Sequence, residues 1–336
     1  MTRICEIATA LPDREITNDE LSRENPSWPV EQIAELVGVE SRRIVADGET
    51  AFDLSVRACE KLSEEGEGSV ADIDAILYCT QTPDYPLPGN AHLLHEQLGM
   101  GNNTFALDYT MGCSGFVYGL AIADSLVRSG VAEEILLVVA ETALRRTNPG
   151  DRSVRILLGD GAAAVRLGNA GSDGATIVAC ELGTHGKGFK HGFVPAGGAR
   201  NPSSAETKRT TTDRSGNIRT PEDFYMDGTA IWSFVNSTVS DHIRTFLKRH
   251  SLTVDDIDLF VFHQASNVII NSLGRSLGIP REKLFKNLER VGNLSSASIP
   301  VALRAALDQG SIQPGSRVLL SAFGTGISYG SVIIEY

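Results

Sequence analysis

Val254-Asp-Asp-Ile-Asp-Leu-Phe-Val-Phe-His-Gln-Ala265 follows the pattern of Val70-Ala-Asp-Ile-Asp-Ala-Ile-Leu-Tyr-Cys-Thr-Gln81, and this pair decides the fold. Each stretch reads as a connection leaving a helix and entering a strand. The apolar residues are continuous rather than alternating, which predicts strands buried on both faces. The second stretch begins 184 residues after the first. Glu134-Ile-Leu-Leu-Val-Val-Ala140 matches Arg317-Val-Leu-Leu-Ser-Ala-Phe323 at a spacing of 183 residues. Between these strands lie Met111-Gly-Cys113 and Val291-Gly-Asn293, 180 residues apart. Three pairs at nearly one spacing argue for an internal duplication rather than a chance likeness of buried strands.

Outward from these anchors, helical and strand patterns alternate. The spacing predicts a helix around Ala51–Ser63, a strand over 75–79, a helix over 90–98 and a strand near 104–108. That order implies an α/β chain of βαβ units, with largely parallel sheets covered by helices. Gly-Asn-Ala-Gly-Ser-Asp-Gly, residues 168–174, breaks the pattern. The break predicts an N-terminal half over 1–172 and a C-terminal half over 173–336, packed face to face with a site between them.

Composition narrows the class. The chain has 336 residues, 42% of them hydrophobic, enough for a large core and for two domains of ordinary size. The apolar run in Met-Thr-Arg-Ile-Cys-Glu-Ile-Ala at the N-terminus is too short for a secretory leader. No stretch is long and apolar enough to span a bilayer. A net charge of −12 argues against general nucleic-acid binding, which needs a basic surface. The five cysteines, Cys5, Cys59, Cys79, Cys113 and Cys180, are odd in number and widely spaced. They read as reduced thiols of a cytoplasmic protein rather than a disulfide framework or a zinc site. The seven histidines are scattered as well, so no metal site and no cofactor is expected.

Cys113 lies in Leu107-Asp-Tyr-Thr-Met-Gly-Cys-Ser-Gly-Phe-Val-Tyr-Gly-Leu120. The stretch reads as a strand, a tight turn and a buried helix with the cysteine at its start. A thiol there feels the positive end of the helix dipole and nearby backbone N–H groups, and both favour the thiolate. The alternative is a small buried hydrophobe, as most free cysteines are. In the second half, His263 ends an apolar strand, and strand ends are where α/β sites form. A strand-end histidine is also a common structural element. Asn293, in Arg290-Val-Gly-Asn-Leu-Ser-Ser-Ala-Ser298, suits a site or a helix N-cap. Ser321-Ala-Phe-Gly-Thr-Gly-Ile-Ser328 is a glycine-rich turn whose N–H groups can face an anion, and no Gly-Lys-Ser/Thr phosphate loop follows. The duplication places Cys113, His263 and Asn293 at one strand end and two post-strand turns. A thiol nucleophile with His and Asn is a coherent acyl-transfer set.

The chain resembles the β-ketoacyl-acyl-carrier-protein synthase III enzymes of the thiolase superfamily. Met-Gly-Cys113-Ser-Gly-Phe, Ile-Leu-Leu-Gly-Asp160-Gly-Ala-Ala, His263-Gln-Ala, Gly-Asn293-Leu-Ser-Ser-Ala-Ser-Ile-Pro300 and Phe323-Gly-Thr-Gly carry the resemblance, in family order across the chain. It implies a duplicated αβαβα layered fold, a homodimer, and a catalytic triad of Cys113, His263 and Asn293. It implies an acyl-cysteine intermediate and decarboxylative condensation with a malonyl (or β-ketoacyl) thioester on acyl carrier protein. The N–H groups of Cys113 and of the Gly324-Thr325-Gly326 turn would form an oxyanion hole. Leu87, supplied by the neighbouring subunit, and Phe323 would bound the acyl pocket. Two other readings are weighed: acyl transfer to an alcohol or amine without decarboxylation, and an inactive partner subunit of a heterodimer.

The chain departs from the family where coenzyme A is held. Family members carry a tryptophan and an arginine near positions 32 and 36, where this chain has Gln32 and Leu36; the arginine after His-Gln-Ala is Val268. Arg152 is kept. The resemblance therefore points to a specialised pathway, or to glycan or lipid modification, with acyl groups arriving on carrier proteins. His185–Arg219 reads as a long segment without helix or strand, holding seven Lys/Arg against two acids. It is expected to be a lid, or to dock an acidic carrier protein through Arg209 and Arg214, with Arg152 beside the pantetheine.

Overall fold

The computed structural model describes residues 1–66, 72–169 and 174–336. Nine strands form one hydrogen-bonded ladder, in the order Leu259–Phe262, Arg317–Gly324, Ser328–Glu335, Ala175–Thr184, Arg3–Ala10, Gly161–Gly168, Glu134–Glu141, Ala75–Cys79 and Phe105–Tyr109. Setting aside Phe105–Tyr109, the order is the same read inward from either end. Ala75–Cys79 runs parallel to Glu134–Glu141, as Leu259–Phe262 does to Arg317–Gly324. Each pair is followed by an antiparallel strand, Gly161–Gly168 or Ser328–Glu335, and then by another, Arg3–Ala10 or Ala175–Thr184. Among the described residues, the last two pair only at Arg3 with Thr176 and Ile4 with Ala175, so the ladder is nearly cut there. Phe105–Tyr109 closes one end; at the other, a single bridge from Phe260 to Leu284 holds its place.

Strand alternation sorts the core into layers. Ile76, Tyr78 and Val138 face the helices Ala51–Glu65 and Asn90–Gln97 on one outer side. Leu77, Leu137 and Val165 face inward onto the helices Gly115–Arg128 and Ser298–Asp308. Val261, Leu320 and Val332 pack on the same two helices from the opposite side. Phe260, Phe262 and Leu319 point outward to Ser240–Arg249 and Asn267–Leu277. The result is the αβαβα stack. Covering both faces of a sheet is what requires the continuous apolar runs: all eight residues of Glu134–Glu141 are buried. Phe116, in the middle layer, is fully buried, and its truncation to Ala would cost ~3–5 kcal/mol.

Local signals set the boundaries. Thr50 and Asp53 form a reciprocal capping box on Ala51–Glu65. Ser266 caps Asn267–Leu277, and Gly278 ends it with a left-handed φ of 72°. The four sequence-read elements of the first half are found as Ala51–Glu65, Ala75–Cys79, Asn90–Gln97 and Phe105–Tyr109.

Two expectations need correction, and one lies out of reach. The sheet is mixed rather than largely parallel, because the last strand of each half turns back. Gly324 and Ser328 are separated by three residues, too few for a crossover, so Ser328–Glu335 must run antiparallel. His185–Arg219 is not without regular structure. It holds a 3-10 turn at Gly186–His191 and the short strands Gly192–Phe193, Thr211–Thr212 and Ile218–Arg219. The division between residues 172 and 173 lies outside the described residues. Among the described residues, no helix is long and apolar enough to cross a membrane.

Candidate active site

Cys113 sits on the turn between the strand Phe105–Tyr109 and the helix Gly115–Arg128. The Gly115 N–H closes that turn on the Gly112 carbonyl at 2.7 Å, and the Tyr109 hydroxyl pins the Gly115 carbonyl at 2.9 Å. Glycine is needed here for close approach. A Cβ on Gly112 would meet Thr325 Oγ1 and stand 2.8 Å from Gln81 Oε1. Facing the turn, Gly324 ends the strand Arg317–Gly324. A Cβ there would stand 2.7 Å from Cys113 Cβ and 3.1 Å from Cys113 N. The backbones of Cys113 and the Gly324-Thr325-Gly326 turn are thus stacked against each other. Gln81 Nε2 donates to Thr325 Oγ1 at 3.3 Å and steadies the turn.

His263 follows the strand Leu259–Phe262 and is anchored by its N–H to the Ser321 carbonyl at 2.8 Å. Its ring packs edge-on against Phe323, with centroids 5.6 Å apart. Since Phe323 precedes Gly324, His263 is held one residue from the Cys113 contact. The ring is 2% exposed, and Nδ1 has no hydrogen-bond partner among the described residues. Burial pushes its pKa down to about 3, so the imidazole is neutral at any working pH.

Asn293 is fixed by its backbone. Its N–H donates to the Leu157 carbonyl at 2.9 Å, and its carbonyl accepts from Gly159 N at 3.0 Å. Its Oδ1 accepts from Ser295 N at 2.9 Å. The amide nitrogen Nδ2 is left with no acceptor among the described residues. The N-cap alternative fails, since Ala297 occupies that position for the helix Ser298–Asp308. Ser295 holds a left-handed φ of 52° and places its hydroxyl 3.9 Å from Cys113 Sγ. Strain of this kind in a non-glycine residue is retained where the surroundings enforce it. The structure therefore brings Cys113, His263, Asn293, Phe323 and Gly324–Gly326 to one place.

The thiol does not behave as its sequence position suggests. Burial pushes Cys113 up to about 12, partly offset by the Ser295 hydroxyl and raised further by the charge of Glu141. The residue stands two positions ahead of the first helical residue, Gly115, so the end of the helix does not overcome desolvation. Cys113 therefore rests as a neutral thiol rather than a thiolate.

Glu141, Gln81, Ser295 and Ser296 escaped the sequence reading. Glu141 ends a fully buried strand and is 1% exposed. A carboxylate closing the apolar run Glu134–Ala140 was the available signal. The remaining candidates lie elsewhere. Leu87 is 82% exposed on the Asp84–Gly89 turn. Arg152 Nη2 donates to the Ser215 carbonyl at 2.6 Å, beside Arg214. Arg209 and Arg214 are exposed, while Arg219 is consumed by ion pairs to Asp151 and Asp213, at 2.8 and 2.9 Å. Among the described residues, no hydrogen bond or ion pair joins Arg152, Arg209 or Arg214 to the Cys113 cluster.

Comparison with known proteins finds relatives that match the chain along nearly its whole length. The family model described as 3-oxoacyl-[acyl-carrier-protein (ACP)] synthase III matches residues 107–186, and the one for its C terminal matches residues 247–336. A β-ketoacyl-[acyl-carrier-protein] synthase III of Streptomyces coelicolor is 37% identical over 98% of this chain and 96% of its own length. The chain belongs to the β-ketoacyl-acyl-carrier-protein synthase III family.

Its fold matches a crystal structure of a 3-oxoacyl-(acyl-carrier-protein) synthase III with a TM-score of 0.96, at 37% identity over 100% of this chain and 99% of that one. The priming β-ketosynthase of the R1128 polyketide biosynthetic pathway is 29% identical with a TM-score of 0.85, covering 100% of this chain and 96% of its own. As a member of this family the chain is an acyltransferase of the thiolase-like condensing type.

Near the Gln32, Leu36 and Val268 positions, the helix Val30–Val37 packs against Asn267. There Glu31, Glu35, Glu40 and Glu289, with Lys286, line a cleft of 490 Å³.

Proposed function

We propose that Cys113 takes an acyl group from a thioester and passes it to the carbanion formed by decarboxylation of a malonyl thioester. The convergence of Cys113, Asn293 and His263, through Ser295 and through Phe323 and Gly324, carries this reading. In loading, the Cys113 sulfur attacks the thioester carbonyl while the Cys113 backbone and the Gly324–Gly326 turn present N–H groups to the oxyanion. The C–S bond to pantetheine breaks, and the thiol proton ends on the departing pantetheine thiol. Because the thiol starts neutral, charge appears only as the reaction proceeds.

In condensation, the malonyl carboxylate leaves as CO₂ and its bonding electrons pass into an enolate. The neutral His263 imidazole and the Asn293 amide donate hydrogen bonds to the enolate oxygen. The carbanion attacks acyl-Cys113, the carbon–sulfur bond breaks, and the thiolate recovers a proton from solvent. Two neutral donors suit a developing anion and avoid fixing the malonyl carboxylate in place, which a cationic histidine would do. Transfer to an alcohol or amine would call for a base, a role that a histidine with a pKa near 3 fills poorly.

The carboxylate-lined cleft at 31–40 and 289 disfavours nucleotide phosphates. We therefore assign the donor to acyl carrier protein, docked by exposed Arg209 and Arg214 with Arg152 behind them. This fits specialised metabolism, or glycan or lipid modification, in the cytoplasm. Phe105–Tyr109 is paired on one side only, with Leu107 43% exposed, and supports a homodimer in which Leu87 reaches the partner's acyl pocket. The mirrored strand order supports two duplicated halves, 1–172 with the nucleophile and 173–336 with His263 and Asn293.

Intact-protein mass after incubation with acyl thioesters tests the assignment. The wild type gains the acyl mass and Cys113→Ala does not. His263→Ala and Asn293→Ala load but lose condensation by on the order of 100-fold or more. Equal losses of loading and condensation would contradict these roles.

A further inference from the structure

Glu141 lies beneath the site and touches none of the atoms assigned to the reaction. Its carboxylate accepts from Gln81 N at 3.2 and 3.3 Å, from Ser296 Oγ at 3.1 Å and from Thr82 Oγ1 at 3.5 Å. Two of these contacts lead straight to the site. Gln81 holds Thr325 of the glycine turn through its Nε2. Ser296 follows Ser295, whose hydroxyl faces Cys113 Sγ and whose N–H holds Asn293. A single side chain from the first half thus ties together the two C-terminal segments that surround the nucleophile.

We infer that Glu141 is a positioning residue that clamps the Thr325 turn and the Asn293–Ser295 turn around Cys113, and whose charge state sets the readiness of the thiol to ionise. The proposal rests on Cys113 being the nucleophile only for its consequence in catalysis; the coupling itself is a property of the free thiol.

Burial pushes Glu141 up to about 8, against the opposing effect of the three donors. The sign follows. Below pH 8 the carboxyl is largely protonated and leaves Cys113 alone. Above pH 8 it is charged and opposes formation of a second anion beside it. The other titratable groups around it are Cys79, whose thiol is pushed well up by burial and by Glu141, and Asp160, itself pushed up to about 6. Tyr109 faces Cys79 and is also held protonated. Asp160 in turn faces Arg145 and Arg155, which hold it partly down. Glu141 is thus the group in this cluster that changes charge between pH 7 and 9.

Glu141→Gln keeps the shape: its carbonyl oxygen can accept from Gln81 N, while its NH₂ donates to a rotated Ser296 or Thr82 hydroxyl. The experiment is the rate of Cys113 alkylation by iodoacetamide between pH 6.5 and 9.5, read by intact mass with the other four cysteines changed to Ser or Ala. The expected ratio of Glu141→Gln to wild type is near one at pH 6.5 and rises to about 10 at pH 9.5, the effect of a one-unit change in thiol pKa. Ser296→Ala removes one donor to the charged carboxylate, so the pH at which the alkylation profile bends moves upward. A ratio that is the same at every pH, whatever its size, would reduce Glu141 to structural filling and overturn the proposal. An unmoved bend in Ser296→Ala would do the same should Glu141→Gln fail to fold. Loss of the acyl adduct on Cys113 in the wild type would instead overturn the nucleophile assignment and leave this coupling standing.

Discussion

The backbone of Gly324 lies directly against Cys113, so closely that a methyl group at 324 would stand 2.7 Å from Cys113 Cβ. The contact joins the end of the strand Arg317–Gly324 to the turn that carries Cys113, the proposed nucleophile. It also fixes the distance between the two sets of N–H groups that would share an oxyanion. Gly324 has an extended φ of −176°, so alanine fits the backbone and the obstacle is steric alone.

Gly324→Ala is therefore expected to fold and to lose loading. Pushing the turn away from Cys113 removes one oxyanion donor, a loss on the order of 100-fold in acylation rate. Stopped-flow acylation with a near-native thermal transition checks this. A fully active variant would mean that the turn tolerates displacement and does not shape the oxyanion hole.

The raised thiol pKa makes a pH prediction. With ionisation near 12, the thiolate fraction of free Cys113 climbs throughout the neutral range. Alkylation should keep increasing from pH 6 to 9 without reaching a plateau. A plateau below pH 8 would indicate a helix-stabilised thiolate, as the sequence alone suggested.

The open edge at Phe105–Tyr109 and the exposed Leu87 predict a homodimer by light scattering. Leu87→Trp should leave acetyl loading unchanged and reduce loading of longer acyl groups by about tenfold or more, through a filled pocket floor. A fully active monomer would rule out this arrangement.

Carrier docking through Arg209 and Arg214 predicts salt sensitivity, because exposed charges are screened within about 10 Å at 0.1 M. Arg209→Glu with Arg214→Glu should slow loading from the carrier and leave a small pantetheine thioester unaffected. A higher kcat/KM for the coenzyme A thioester of the same acyl group would return the enzyme to nucleotide-borne donors.

The fold was legible because duplication writes itself into strands that are buried on both faces. Leu259–Phe262 and Ala75–Cys79 carry the same uninterrupted apolar run, and its recurrence at one spacing is what marks them as strands of a duplicated unit. The antiparallel partner Ser328–Glu335 was harder to see, since its direction depends on a three-residue turn rather than on its own pattern. Cys113, His263 and Asn293 were visible as candidates at one strand end and two post-strand turns. Glu141 and Ser295 were not, because they are marked only by contacts between segments far apart in the chain, Glu141 with Ser296 and Ser295 with Cys113. The thiol pKa was misjudged for a related reason: helix position can be read from sequence, whereas depth of burial cannot. The 185–219 segment shows no helix or strand pattern in sequence because its strands are two residues long, too short to show a period.

The most direct test is a single-turnover experiment on enzyme pre-acylated at Cys113 and freed of donor. Malonyl carrier protein labelled at the carboxyl group is then added, and CO₂ and intact mass are followed together. The account predicts one CO₂ released per acyl group lost from Cys113, with a β-ketoacyl product on the carrier. Loss of the acyl group without CO₂, or CO₂ released while the acyl mass remains on Cys113, would contradict it.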